Sequence, residues 1–367
     1  MTSPNLKPKQ NLAYLPLEPY QARYTELMSG KDGWTTKALS PQFNLKRIEP
    51  AEGSASTVIK SGRVLDSVNR PIWALEQIKQ TLLQYPAGKI FLEDFFTPGV
   101  EALPYSGNPY QLYSFCWAQS FDRYDFTREM PWMRAYESMM LSFARITFVA
   151  SPILQDLILT VFPSLTEKEV QFVGLPFNSS EVRKLFDPSM QPDEVDVVYS
   201  SRFDKEKNSM FFLDVVESMP DVKFAICTGH PQLQGTDFAS VARAKAITSR
   251  PSNLTIYENL TKAEYYSILK ASKVQFNCSL QDWVSFTLLE ALTHGCLPCY
   301  PRRRDFVSVF EDASDYLYSP CDSIDAMDLI KELLASERKA HAPKLLPILE
   351  FHDGTYDRIA KAIQNDV

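Results

Sequence analysis

The chain has 367 residues, 45% hydrophobic and 23% charged, with a formal net charge of -7. This balance excludes a disordered or fibrous protein. The acidic total argues against a generic polyanion binder while leaving a local basic groove open, and no apolar run reaches the ~18–20 residues that span a bilayer. At roughly 100–200 residues per domain the length predicts two domains. The opening MTSPNLKPKQNLAYLP has no apolar core of signal-peptide type, and six cysteines are too few for a disulfide scaffold. Free thiols and a cytoplasmic location are therefore expected. Charge is uneven: residues 1–70 carry ten Lys and Arg against six Asp and Glu, so an anionic acceptor would meet the N-terminal part.

Residues 1–50 show little periodicity and resist assignment. STVIKSGRVLD (56–66) reads as a hairpin turning at Ser61-Gly62. Ile72, Leu75, Ile78 and Leu82 recur at helical spacing and predict an amphipathic helix with those residues inward. KIFLEDFF (89–96) and LYSFCWAQ (112–119) read as strands. Residues 131–145 read as a helix opened by proline, ITFVAS (146–151) as a strand, 152–162 as a helix and VQFVGLPF (170–177) as a strand. The polar, proline-containing stretch 178–194 reads as a linker, with domains at 1–180 and 195–350, a linker over 181–194, and a C-terminal helix (351–367) that packs back on the first domain. Alternation then restarts with VDVVYSS, the helix SMFFLDVVESM, and the strands KFAICTG and LTIYEN. The helix TKAEYYSILKAS opens on a T-x-x-E capping signal. After it come the strand VQFNCS, the helix FTLLEALTHG closed by Gly295, the strand CLPCYP, and helices over 322–336 and 355–365. Such alternation predicts two parallel-sheet α/β domains, with ligands at the carboxyl ends of the strands and in the cleft between domains.

The usual markers of several chemistries are missing. There is no P-loop, no G-x-G-x-x-G and no G-x-S-x-G elbow. His230, His294, His341 and His352 lack metal-ligand spacing, and the Cys296-x-x-Cys299 pair lacks a second ligand pair, so no metal is expected. What remains is polar residues at strand ends in the second half. Arg202 and Lys207 follow a strand and suit a diphosphate, one as a planar fork and the other as a point charge. Asp282 and Glu290 stand eight positions apart, across a helix start whose Ser285, Phe286 and Thr287 amides suit a phosphate. The two carboxylates suit sugar and ribose hydroxyls. Each feature alone also reads as an ordinary solvated turn or helix face.

Taken in order over about residues 195–320, these features resemble the nucleotide-sugar domain of GT-B glycosyltransferases, especially the retaining group called family 4. Arg202 and Lys207 match its R-x4-K element, and AICTGHP with Gly229 matches its strand ending in glycine. Asp282 to Glu290, running into EALTHG, matches its E-x7-E element with Asp in place of the first Glu. The resemblance implies a GT-B fold of two Rossmann-like domains and transfer of a sugar, with retention and without a metal, from a nucleotide sugar, UDP-linked by expectation. It also implies roles: Arg202 and Lys207 on the departing diphosphate, Glu290 on the ribose, Asp282 on the sugar, and Gly229 with the Ser285–Thr287 amides near the donor.

The first half is less informative. SFCWAQSFDRYDFT (114–127) ends a strand in a polar, aromatic loop, where Trp117, Gln119 and Asp122 are candidate acceptor contacts. Asp122 is a candidate base, with Glu93 and Asp94 as rivals. This loop and W-M-R-x-x-E loosely resemble phage enzymes that glycosylate hydroxymethylated bases in DNA. That implies a duplex DNA acceptor met by Arg302, Arg303 and Arg304, with Arg243, Lys245 and Arg250 as further basic candidates and Trp117 or Tyr124 stacking on a base. The alternatives are a glycosyltransferase acting on a small molecule or glycan, a catalytically idle nucleotide-binding protein of the same fold, and an epimerase or phosphorylase.

Overall fold

The computed structural model describes residues 8–19, 24–52, 69–190, 192, 194–310 and 314–366; the hairpin expected over 56–66 lies outside them. Two six-stranded sheets organise the chain. The first comprises β1 (Asn11–Leu15), β2 (Asn44–Arg47), β3 (Gly88–Leu92), β4 (Tyr110–Cys116), β5 (Ala144–Val149) and β6 (Val170–Phe172), in the order β2-β1-β3-β4-β5-β6. The second comprises β7 (Val197–Tyr199), β8 (Phe224–Cys227), β9 (Leu254–Tyr257), β10 (Val274–Phe276), β11 (Leu297–Pro301) and β12 (Leu317–Tyr318), in the order β12-β11-β10-β7-β8-β9. The paired strands run parallel in both sheets. Strand residues are buried on both faces, as in Val197, Val198 and Tyr199 or Phe224, Ala225 and Ile226, which is what helices on both sides of a parallel sheet require.

Both strand orders reverse direction once. The reversal falls between β1 and β3 in the first sheet and between β7 and β10 in the second. Adjacent loops diverge at such a point and leave a crevice at the carboxyl ends. Arg202 to Lys207 follow β7, and Asp282 to Thr287 follow β10. Glu18 follows β1, and Glu93 and Asp94 follow β3.

Several sequence expectations need correction. The unassigned first fifty residues hold β1, β2 and the short helices Tyr24–Met28 and Trp34–Leu39. The helix Asn69–Gln84 forms, but Ile72 and Leu75 are exposed, and its inward face is Arg70, Trp73, Ala74, Gln77, Ile78 and Thr81. Hydropathy hid this face because its polar members are satisfied by backbone carbonyls. Gln77 donates to the Pro16 and Ile48 carbonyls at 2.9 and 3.0 Å, and Thr81 to the Gln77 carbonyl at 2.8 Å. The stretch read as a linker contains the helix Ser179–Lys184. The helices Phe238–Thr248 and Arg338–Asp353 were not anticipated, the latter because it carries Pro343 and Pro347 internally.

The C-terminal segment returns to the first domain. His352 Nδ1 accepts the Leu175 N–H at 2.9 Å, Thr35 and Tyr356 share a hydroxyl contact of 2.9 Å, and Tyr113 donates to Asp366 at 2.7 Å. Burial drives the His352 pKa down to about 3, which keeps the ring neutral and able to accept. The helix Thr355–Asn365 buries Tyr356, Ile359, Ala360 and Ile363. Each large side chain there contributes about 1.5–3 kcal/mol of apolar burial.

Candidate active site

The short 3-10 turn Lys205–Lys207 ends at Asn208, whose φ of 54° reverses the chain into the helix Ser209–Ser218. Asparagine tolerates that left-handed conformation better than most residues. The reversal aims Lys207 across the crevice to the β10 loop, where its ammonium donates to the Gln281 carbonyl at 3.0 Å and lies 3.4 Å from Asp282. The helix Phe286–Thr293 begins beyond, with Ser285 at its N-cap and a 2.6 Å contact between the Ser285 and Thr287 hydroxyls. Ser285 makes no side-chain cap, and its carbonyl takes the Leu288 and Leu289 N–H groups, so the Phe286 and Thr287 amides have no partner from it. A cation, a carboxylate and a helix N-terminus therefore share the reversal point of the second sheet, beside Gly229 at the end of neighbouring β8.

Two expected donor residues are already engaged. Arg202 is paired with Asp204 and with Glu206, the latter at 2.8 Å, although its side chain is 40% exposed. Glu290 is only 2% exposed and accepts from Lys262 at 2.6 Å and from Tyr266 at 2.8 Å. Sequence reasoning missed both of these partners. The capping box of Thr261 and Glu264 was legible and is present, but nothing in the pattern announced that Lys262, one residue past the cap, reaches Glu290.

The first domain meets this site directly. Asp122, its side chain fully buried, binds Arg304 of the other domain and accepts the Tyr124 N–H at 3.0 Å. Arg304 sits at φ 48° in the turn after β11, and its guanidinium lies 5.5 Å from the Trp283 ring. Ser151, which caps the helix Pro152–Val161, donates to Asp305 at the start of the helix Asp305–Phe310. Burial, reinforced by the carboxylates of Asp282 and Asp122, pushes the Asp305 pKa up to about 8 against the opposing effects of Ser151 and Arg304. Gln281 Nε2 lies 3.3 Å from Asp125, and burial raises the Asp125 pKa. Tyr24 stacks on Phe286 with ring centroids 4.1 Å apart and planes at 9°, and the Trp117 ring lies 5.6 and 5.9 Å from them.

Of the acceptor-side candidates, Trp117 is half-buried and donates through its indole N–H to the Glu93 carbonyl at 2.9 Å. Gln119 is fully buried against Cys116, 2.7 Å away, and so lies out of solvent reach. Glu93 is held by Tyr14, Thr35 and the Leu17 N–H, and Asp94 by Arg70, so both rivals to Asp122 are committed to internal pairs. Arg302 is exposed, and Arg303 packs over Tyr124. Arg243 pairs with Asp214 and Glu217, and Arg250 also pairs with Glu217. Cys296 and Cys299 are buried, and no cluster of metal-ligating side chains occurs among the described residues. No described helix is long and apolar enough to cross a membrane.

Two Rossmann-like parallel-sheet domains that face each other through their strand carboxyl ends, with a C-terminal helix returning to the first, define the GT-B fold of glycosyltransferases. No family model and no curated protein sequence matches the chain. Among solved structures it is similar to the sucrose-phosphate synthase of Thermosynechococcus elongatus (TM-score 0.66, 15% identity, 97% of this chain and 94% of that one). It is also similar to the UDP-forming α,α-trehalose-phosphate synthase of Burkholderia vietnamiensis (TM-score 0.64, 14% identity, 79% and 78%). A third similar structure is a trehalose-6-phosphate synthase described for glycosyltransfer with retention (TM-score 0.61, 11% identity, 80% and 78%).

Proposed function

We propose that the protein is a glycosyltransferase that moves a sugar from a nucleotide-sugar donor to an acceptor hydroxyl. The observation that carries this reading is the junction of Lys207, Asp282 and the uncapped N-terminus of the helix Phe286–Thr293 at the reversal point of the second sheet. An ammonium and a ring of backbone N–H groups suit a leaving diphosphate, because they are fixed where negative charge develops and need no reorganisation during the reaction. Asp282 accepts hydrogen bonds from sugar hydroxyls in this reading. Arg202 leaves its pairs with Asp204 and Glu206 for the diphosphate, and the Asp204 carboxylate keeps its hydrogen bonds from the Thr236 N–H and hydroxyl. Glu290 reads the ribose beside Lys262. A UDP donor accords with the UDP-forming neighbour, and retention with the neighbour described for it. The side chains supply the charge neutralisation by themselves, so the reaction as drawn proceeds without a metal.

The acceptor is a hydroxymethylated pyrimidine in duplex DNA, a reading supported by exposed Arg302, by Arg303 over Tyr124, and by the aromatic cluster at the domain junction. The experiment incubates the protein with such DNA and a panel of nucleotide sugars, then weighs the digested nucleosides. A hexose- or pentose-sized gain is expected. Free nucleoside diphosphate without a modified base discards the DNA acceptor and retains the transferase. Arg202→Ala and Glu290→Ala are each expected to abolish turnover and to weaken donor binding by about 1–3 kcal/mol; wild-type turnover in either rejects these roles. A second reading, an idle nucleotide-binding protein, draws on the internal pairing of Glu290 and predicts UDP binding without transfer.

A further inference from the structure

Tyr124 stands at the mouth of the cleft, ringed by guanidinium groups from both domains. Arg123 lies 4.6 Å from its ring centroid, Arg303 4.7 Å and Arg304 5.6 Å. Arg304 is neutralised by Asp122. Among the described residues no carboxylate forms an ion pair with Arg123 or Arg303, whereas Arg302 turns away to the Leu317 carbonyl. The nearest acids are spent elsewhere: Asp122 on Arg304 and the Tyr124 N–H, and Asp125 on Thr127 and Gln281. A hydrogen bond from Arg303, together with the charges of Arg303, Arg123 and Arg304, lowers the pKa of the Tyr124 phenol.

Two like charges gathered on one ring repel each other, and each gains when an anion sits between them. Guanidinium forks match phosphate oxygens bidentately, and a tyrosine edge offers a hydroxyl donor to the same group. We infer that Arg123 and Arg303, gathered at the Tyr124 ring, form a phosphate clamp that binds a phosphate ester carried by the acceptor. The clamp rests on the glycosyltransferase reading and narrows it, because one arm comes from each domain. A sugar phosphate and a nucleic-acid backbone supply the same chemistry.

The test measures binding of glucose 6-phosphate and of a duplex 20-mer to the intact protein, in the presence of UDP, for wild type and for Arg123→Gln and Arg303→Gln. UDP binding and thermal stability are measured in parallel. Both variants are expected to lose on the order of tenfold or more in affinity for one of the two probes, while UDP affinity and melting temperature stay unchanged. Loss toward glucose 6-phosphate alone assigns a small acceptor. Loss toward the duplex, with a shallower salt dependence, assigns nucleic acid. The clamp is overturned if neither probe binds wild type, or if binding is the same in the variants. Phosphate-dependent binding in a protein that fails to bind UDP leaves the clamp standing and removes the donor reading.

Discussion

Asp305 illustrates how one side chain couples the domains to pH. Its carboxyl is buried against Ser151 of the other domain, with one oxygen unpartnered, and its pKa is pushed up to about 8. In the unfolded chain the same group ionises near pH 4. Between those values the folded protein holds a proton that the unfolded chain has released, so stability falls as pH rises through this window. Asp94, raised to about 6 by burial, adds to the fall over its lower part. Asp305→Asn is expected to flatten the decline in melting temperature between pH 5 and 8; an unchanged slope shows that the group is ionised in the folded state. No sequence pattern marked Asp305. It becomes visible only when β5 and β11 end against each other.

At the scale of elements, most helices and strands were legible because their signals are local. The capping box of Thr261 and Glu264 is complete, with Thr261 accepting from the Glu264 N–H and Glu264 from the Thr261 N–H. Thr261→Ala is expected to cost about 1 kcal/mol in urea denaturation. Because the first turn carries Lys262, UDP affinity should fall in the same variant; unaffected binding would detach this helix from the donor site. The helix Asn69–Gln84 forms with a different inward face than its apolar spacing predicts, since inward Gln77 is satisfied by the Pro16 and Ile48 carbonyls that only the fold supplies, and Thr81 by the Gln77 carbonyl within the helix. Arg338–Asp353 was hidden by two prolines, and the strands β1 and β2 by the short lengths of the segments around them.

Across the whole molecule, the contact between domains combines apolar and polar parts, with Trp283 packed into the hydrophobic core of the first domain. Asp122–Arg304 and Ser151–Asp305 lie beside the Tyr24–Phe286 stack, so closure buries charge that must remain paired. Arg304→Gln leaves the Asp122 carboxylate alone in the closed state, where an unpaired buried charge is strongly unfavourable. Small-angle scattering should then report a larger radius of gyration than wild type. Adding Asp122→Asn to the same chain should restore compactness, and a radius unchanged in the single variant would show that this pair does not hold the cleft closed.

The amino-acid order by itself determined the alternation of strands and helices, the two-sheet architecture and the ordered set of Arg202, Lys207, Asp282 and Glu290. Periodicity, caps and spacing act over a few residues and are written in the chain. Tertiary structure alone decided the partners. It joined Lys207 to Asp282, fixed Glu290 on Lys262 and Tyr266, closed Asp122 on Arg304, and gathered arginines of two domains around Tyr124. These contacts join residues far apart in sequence, and their energies depend on burial and distance, which exist only once both sheets have formed and face each other.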